Sequence, residues 1–387
     1  MVYPCITIDC STVGENKYHN LTELTSEIVN KGGKIAIAKD TLVWHLNPGL
    51  KKKINKIGFK NSEAKLLSVV TPSYNNKEEL LKCLESLFNQ KNADYKKLEI
   101  IVVDHGSEDG TVEALGKIRA PCKFRYYSQS NKGWSAAINR GIVAAVGRFI
   151  LLTSPHVLAD ENLISEHLKT HEKYSEEDIA VLGHISASPP EGIGEITPFM
   201  KFLLKSPLIQ YGYEFAFDYN DIESSENVCH KYFYTPNLSL KRDIFQDVGL
   251  FEEGLQHGVQ DLEFGLRVSL NKYRIVYNRD AVVDLYRRID LKEFLERQIS
   301  VGRQQAILSQ MHPGTFDIDT IKMNCVRHLF GKERLAEVAE KLLDELEKMA
   351  EGIRNNYKFS GSSLLERCYI ILSDYYYAMG INEALKE

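Results

Sequence analysis

The stretch LLSVVTPSYNNKEELLKCLESLFNQKNADYKKLEIIVVDHGSEDGT, residues 66–111, decides the fold. LLSVVT (66–71) is an apolar run of strand length. KEELLKCLESLFNQ (77–90) sets Leu80, Leu84 and Leu87 on one helical face, widened by Leu81 and Phe88. LEIIVVD (98–104) is again almost wholly apolar, as a strand covered on both faces must be. Strand, amphipathic helix, buried strand is the repeat of an open, mostly parallel α/β sheet. Ligands of such sheets bind at the carboxyl ends of the strands. The first such end is Thr71-Pro72-Ser73-Tyr74-Asn75-Asn76. The second is Asp104-His105-Gly106-Ser107-Glu108-Asp109-Gly110-Thr111.

The alternation continues outward. GTVEALGKI predicts a short helix, KFRYYS (123–128) a third strand and GWSAAINRGIVAAV (133–146) a helix of small residues. A fourth strand over 148–153 stops at Ser154-Pro155-His156, and a helix is expected near Asp160. Residues 178–290 are mixed, containing IAVLGHI, FYTPNLSLK, a helical DLEFGLRVSLN and strands in YRIVYNRDAVVDLY. Helical periodicity dominates 291–310, 333–354 and 362–385. Upstream, strands over Cys5–Asp9 and Lys34–Ala38, a helix over Leu21–Asn30 and a lysine-rich connector over Lys51–Lys60 are expected. This predicts three parts: an α/β segment of unassigned role (1–64), the α/β sheet domain (65–290) and a helical region (291–387).

The totals narrow the function. The chain has 387 residues, enough for two units, with 43% hydrophobic and 26% charged residues, as in globular proteins. A net charge of −5 gives no electrostatic case for a nucleic-acid or anionic-membrane partner. The amino terminus lacks a basic segment leading into an apolar core, and no run reaches the length of a membrane-spanning helix. Seven scattered cysteines without a CxxC pair indicate buried thiols in a reducing compartment, so a cytoplasmic location is expected.

Asp104, ending a buried strand before a glycine turn, is placed to accept a hydrogen bond from a base N–H or a ribose hydroxyl, or to close the turn itself. Ser107 or Asp109 can cap the following helix. In NKGWSAAINRG, Asn131 and Gly133 precede a helix whose amides can face a diphosphate, with Asn139 one turn on.

Together these stretches resemble the family 2 nucleotide-sugar glycosyltransferases of the GT-A fold, over about residues 65–290. The resemblance implies an open mixed sheet flanked by helices, and a nucleoside, usually uridine, held by Thr71, Pro72, Tyr74, Asp104 and Ser107, with His105 where the family often has a second acid. The segment TPNLSLKRDIFQDVGLFEEGLQHGVQDLEFGLRV (235–268) resembles the acceptor side of GT-A galactosyl- and N-acetylgalactosaminyltransferases. Asp261 then falls at the general base of the inverting members, and Asn237, Gln260 and Glu263 fall beside the acceptor. A carboxylate suits that task, because it takes the hydroxyl proton as the oxygen attacks the anomeric carbon. Helix capping is the ordinary alternative for Asp261, a solvated helix position for Glu263, and a satisfied strand end for Asn237.

The family usually ends its fourth strand in Asp-x-Asp, sometimes Asp-x-His, which holds Mn²⁺ or Mg²⁺ against the donor diphosphate. Here the pattern falls on Ser154 and His156, and both carboxylates are gone. Three readings follow. Weak or absent metal dependence ranks first, with protein groups on the diphosphate. His156 as one ligand of Mn²⁺ ranks second. A pseudoenzyme that keeps only the fold ranks third. The expectation is a hexosyltransferase-type enzyme moving a sugar from a UDP-sugar to a hydroxyl of a carbohydrate or glycoconjugate, by inversion, with retention left open. The rival of a different class is a non-catalytic binding or scaffold subunit of an active glycosyltransferase. The helices after 290 are expected to cover the acceptor face or to form a homo-oligomer, and RQISVGRQQ (297–305) lacks the Trp of a processive synthase.

Overall fold

The computed structural model describes residues 66–186, 197–203, 228–312, 332–352 and 362–386. The elements expected upstream of residue 65 lie outside it. The quoted stretch folds as β1 (Leu67–Ser73), α1 (Lys77–Phe88) and β2 (Leu98–Asp104). Next come α2 (Thr111–Leu115), β3 (Lys123–Ser128), α3 (Trp134–Ala144), β4 (Phe149–Thr153), β5 (Val157–Ala159), α4 (Leu163–Lys173) and β6 (Ile179–Ser186). The rest comprises α5 (Pro198–Leu203), β7 (Asn237–Lys241), α6 (Ile244–Val248), α7 (Val259–Leu270), β8 (Arg274–Leu285), α8 (Leu291–Met311), α9 (Glu333–Gly352) and α10 (Ser362–Ala384). β5 was not expected; the helix predicted near Asp160 begins at Leu163, after that strand and a turn.

The eight strands form one mixed sheet in the order β3-β2-β1-β4-β7-β6-β8-β5. β3, β2, β1 and β4 run parallel, and β7 enters antiparallel between β4 and β6. The chain moves outward from β1 to β3, then returns to β4 on the other side of β1. The crevice between β1 and β4 is therefore the switch point at which such sheets take ligands. Every residue of β1 and β2 is buried, because α1 covers one face and α3 the other. The small residues of α3 let it lie close: a methyl group added at Gly141 would sit 2.3 Å from Val70 Cγ1. At the opposite edge, the buried Glu99 carboxylate accepts from Ser68 Oγ, the Val146 amide and Arg125, tying β1, β2, β3 and the end of α3 together.

β7 is fixed by a buried polar network. Asn237, wholly buried, donates through Nδ2 to the carbonyls of His184 (2.9 Å) and Ala281 (2.8 Å). These groups flank the register shift between β6 and β8 at Gly183/His184, so the amide plugs the bulge. Asn237 Oδ1 accepts from His167 Nε2 at 2.8 Å, and Ser239 Oγ links His167 Nδ1 to His171 Nε2. The His167 and His171 bonds are made by neutral imidazoles. Burial depresses His167 to about 4 and His171 to about 3.

The helical region is built on α8 and α10, whose backbones touch. A methyl group at Gly380 would lie 1.9 Å from the Ile299 carbonyl oxygen, and one at Gly302 would lie 2.0 Å from that of Tyr377. Leu255 and Val259 pack on Val301 and Leu308 of α8, which docks this region on the α7 side of the sheet domain. The Tyr375–Tyr377 run is used in this packing: Tyr376 donates to Glu340 of α9, and Tyr377 packs against the α7–α8 contact. No helix among the described residues is long and apolar enough to cross a membrane.

Two expectations follow. The unfolded chain takes up two protons below pH 6.5 that buried His167 and His171 refuse until about pH 4 and 3. Their contribution to stability is complete above pH 6.5 and is lost as pH falls towards 4. The melting temperature should therefore drop across that window, and His171→Gln should flatten the profile measured by thermal denaturation. Gly380→Ala should cost about 1–3 kcal/mol, because the clash is with backbone, read as a lower urea midpoint.

Candidate active site

The carboxyl ends of β1 and β2 are locked together before any ligand is considered. The Asn75 amide donates to Ser107 Oγ (2.9 Å), and the Glu108 amide returns to Asn75 Oδ1 (2.8 Å). Asp109 accepts from the Lys77 amide, at the start of α1, and from the Thr111 amide, at the start of α2. One carboxylate thus serves orphan amides of two helices. Asp109, read from sequence as a cap, has that role; Ser107 is spent on positioning the loop.

Asp104 is 1% exposed. Its Oδ2 accepts from the amides of Gly106 and Ser107, both at 3.2 Å, while Oδ1 is buried with no hydrogen-bond partner in the protein. His105 follows at 5% exposure. Its ring stacks on Tyr74 at 5.0 Å and meets Trp134 edge-on at 6.2 Å. Asn131 Oδ1 accepts from the Gly133 amide (3.0 Å) and faces His105 Nδ1 (3.1 Å). The Gly133 bond fixes that amide orientation, so His105 carries its proton on Nδ1 and presents Nε2 as an acceptor. Nε2 too is buried and unpartnered. Burial holds His105 below its usual pKa, which keeps the ring neutral. Two buried acceptors without donors therefore sit side by side in sequence at the end of β2. A buried acceptor left unpaired costs about 1–3 kcal/mol, so this pair calls for donor groups from a ligand. Thr71 and Pro72 lie inside β1, both buried; Thr71 Oγ1 bonds the Pro72 carbonyl. Tyr74, the residue after β1, is 41% exposed.

α3 does a different job from the one expected of Asn139. Asn139 Nδ2 donates to the Phe251 carbonyl, and its Oδ1 accepts the Phe251 amide, each at 2.9 Å. Ser135 Oγ donates to the Leu255 carbonyl (2.8 Å). The helix thereby clamps the 251–256 loop rather than presenting Asn139 to a donor. Gln256 covers Gly133: a methyl group there would lie 2.8 Å from its Nε2, and φ is +89°. The loop continues through His257 and Gly258, at φ +58° and +90°, into α7.

That turn delivers Asp261 to the sheet. Asp261, 4% exposed, accepts from the Thr235 amide (3.1 Å) and from Thr235 Oγ1 (2.9 Å to Oδ2). Thr235 lies two residues before β7, and Thr153 at the end of β4 donates to the intervening Pro236 carbonyl (3.1 Å). The carboxylate is consequently held at the carboxyl end of β4. It is attached to the strand before it, beyond what capping α7 alone requires. Gln260 accepts the Gly258 amide (2.9 Å) and closes the turn. Glu263 points elsewhere: Arg267 grips both its oxygens (2.7 and 2.6 Å), and His312 adds a third contact at 3.1 Å. Although burial raises its pKa, Arg267 and His312 outweigh that and hold Glu263 at about 2. It is an internal ion pair and, like Asn237 in the bulge, has no free atom for an acceptor.

Ser154, Pro155 and His156 form a tight turn between β4 and β5. Ser154 Oγ accepts the His156 amide (3.3 Å), and Cys83 Sγ donates to the Ser154 carbonyl. His156 Nδ1 is buried without a partner. Arg287 and Arg297 add to burial in pushing His156 well below the usual range, and the same two guanidinium groups help depress His257 to about 4. Among the described residues no three His, Cys, Asp or Glu side chains converge as metal ligands. One hydroxyl and one imidazole facing two guanidinium groups do not fit Mn²⁺ or Mg²⁺, which need several oxygen donors of negative charge. Arg287, Arg297 and His257 were not among the sequence candidates. Arg297 opens the RQISVGRQQ stretch, where a Trp was sought. What was legible was only that an Arg lay in a helix following the domain.

Residues 68–229 match the model of the family described as "Glycosyl transferase family 2". Over 252 residues the chain is 28% identical to the uncharacterized glycosyltransferase YfnE of Bacillus subtilis (strain 168), covering 56% of this chain and 63% of that protein, less than two thirds of its length. It is 25% identical over 259 residues to the dolichyl N-acetyl-alpha-D-glucosaminyl phosphate 3-beta-D-2,3-diacetamido-2,3-dideoxy-beta-D-glucuronosyltransferase of Methanococcus voltae, covering 65% and 76%. Among solved structures, the mannosyltransferase PcManGT of Pyrobaculum calidifontis, in complex with GDP-Man and Mn²⁺, superposes with a TM-score of 0.52 at 17% identity, over 86% of this chain and 92% of that one. The sheet order and the superposition agree on the GT-A fold, and residues 68–229, a little under half of the chain, are similar to glycosyl transferase family 2.

Proposed function

We propose that this chain is a glycosyltransferase that moves a sugar from a UDP-sugar to an acceptor hydroxyl, with inversion at the anomeric carbon. The observation that carries the reading is the pair of unpartnered buried acceptors, Asp104 Oδ1 and His105 Nε2, at the carboxyl end of β2, one strand from the switch point and within the segment that matches the family 2 model. A nucleoside supplies what they lack, an imino N–H on the base and hydroxyls on the ribose. Tyr74 and Asn131 touch His105, and with Gly133, whose amide holds Asn131, they belong to the donor side. Residues 65–290 form the transferase domain, and 291–387 the helical region that closes its α7 side.

Asp261 is the base. Thr235 orients its carboxylate, and its position beyond β4 sets it next to the end of the donor. In the transfer step the acceptor hydroxyl loses its proton to Asp261. The oxygen forms the new bond to the anomeric carbon on the face opposite the leaving group. The bond from that carbon to the β-phosphate oxygen breaks, and its electron pair leaves with the diphosphate. The acceptor is a carbohydrate or glycoconjugate. A reducing, cytoplasmic setting belongs to this reading, in keeping with seven scattered cysteines that form no CxxC pair.

Asp261→Asn should lower turnover of UDP-sugars by about 10²–10⁴-fold, the usual worth of a general base, while leaving UDP affinity within twofold. Undiminished turnover in this variant would remove Asp261 from the chemistry. The test is UDP release from a panel of UDP-glucose, UDP-galactose and UDP-N-acetylglucosamine, and proton NMR of the product anomer reads inversion directly. Asp104→Ala should weaken UDP binding roughly ten- to a hundredfold, as loss of a hydrogen bond to a charged group does. Unchanged affinity in titration calorimetry would move the nucleoside elsewhere.

A further inference from the structure

The turn that replaces the metal-binding acids is met by basic groups from three other segments. The His156 carbonyl accepts the Tyr286 amide at 2.7 Å, and Val157 pairs with Leu285, so the chain leaving β8 runs alongside the Ser154–His156 turn. Arg287 is the next residue. It pairs with Glu293 in the first turn of α8, which anchors the side chain there. One turn further along α8, Arg297 donates to the His257 carbonyl at 3.3 Å, and its Nη2 lies 4.0 Å from where a Gly258 side chain would begin. His257 occupies a left-handed conformation that non-glycine residues rarely adopt, immediately before the helix that carries Asp261. Four basic side chains, from the β4–β5 turn, the end of β8, the start of α8 and the entry to α7, thus gather where the sheet delivers the reacting end of the donor. The buried, unpartnered His156 Nδ1 lies among them.

Resting on the donor site proposed above, we infer that Arg287 and Arg297 form a built-in cationic cradle, lined by the neutral rings of His156 and His257, that holds the donor diphosphate in place of a divalent cation. Guanidinium groups suit the role. They stay protonated at all working pH values, and their planar fork matches two phosphate oxygens. As the glycosidic bond to the donor breaks, the β-phosphate gains a full negative charge, which these fixed cations stabilise without recruiting an ion. The same positive charge repels Mn²⁺ from the turn, which lacks the oxygen ligands to overcome that repulsion. Arg297 lies outside the span of the family match and comes from the helical region, so that region completes the site.

The test is calorimetric titration of the full chain with UDP, inorganic pyrophosphate and uridine, in EDTA and then in Mn²⁺. The cradle predicts equal UDP affinity, within twofold, in the two buffers. It also predicts that Arg297→Gln and Arg287→Gln each weaken UDP and pyrophosphate at least tenfold, leave uridine within twofold and keep the melting temperature within a few degrees. Arg297→Lys should fall between wild type and Arg297→Gln, because it keeps the charge and loses the fork. UDP binding that requires Mn²⁺, or that ignores both arginine variants, overturns the cradle and leaves the glycosyltransferase reading intact. Pyrophosphate binding that depends on the arginines, with no gain in affinity for UDP over pyrophosphate, supports the cradle and overturns the uridine part of that reading. Absence of binding by UDP and pyrophosphate alike in both buffers overturns both.

Discussion

The buried amide of Asn237 is the constraint on which the site depends. It satisfies the two carbonyls exposed by the β6–β8 register shift and receives His167 in return. That holds β7 in place, antiparallel, beside β4. Because β7 runs backwards, its beginning rather than its end lies at the carboxyl edge of the parallel strands. Thr235 is there for that reason, and Thr235 is what Asp261 holds. Gly183 is part of the same device: a side chain on it would collide with Asn237 Nδ2 at 2.3 Å. A residue that looked like an acceptor contact is instead the reason that the candidate base has a fixed address.

A second theme is the division of work between polar side chains that serve the fold and those left for a ligand. Asn139, Glu263, Ser107 and Asp109 have their polar groups matched within the protein. Asp104, His105 and His156 each retain one buried atom without a partner, and all three lie at the carboxyl ends of β2 and β4. Buried polar atoms are nearly always paired. Other unpartnered atoms, His171 Nδ1 and Gln305 Oε1 among them, lie away from this edge, so these three point to a ligand through their place at the carboxyl ends of strands and not through burial alone.

The helical region extends this logic. Gly302 and Gly380 let α8 and α10 touch backbone to backbone, which fixes the direction of α8. α8 in turn packs on the loop and helix that carry His257 and Asp261.

The sequence by itself determined the parallel half of the sheet. LLSVVT and LEIIVVD are strands because short uninterrupted apolar runs are buried on both faces, KFRYYS is a half-exposed edge strand rich in aromatic residues, and KEELLKCLESLFNQ is a helix because its leucines recur at helical spacing. It also placed Asp104, His105 and Asp261, since an acid that ends a buried strand or opens a helix is visible in one dimension. Whether a polar side chain at such a position is free or already bonded was decided only by tertiary structure. Asn139 and Glu263 are answered by partners 112 and 49 residues away, Phe251 and His312. Arg287 and Arg297 reach the turn at 154–156 only because β5 pairs with β8 and α8 folds back over α7. Hydrogen bonds and charge act through space at a few ångströms, and no local pattern records which distant segment will supply the other half.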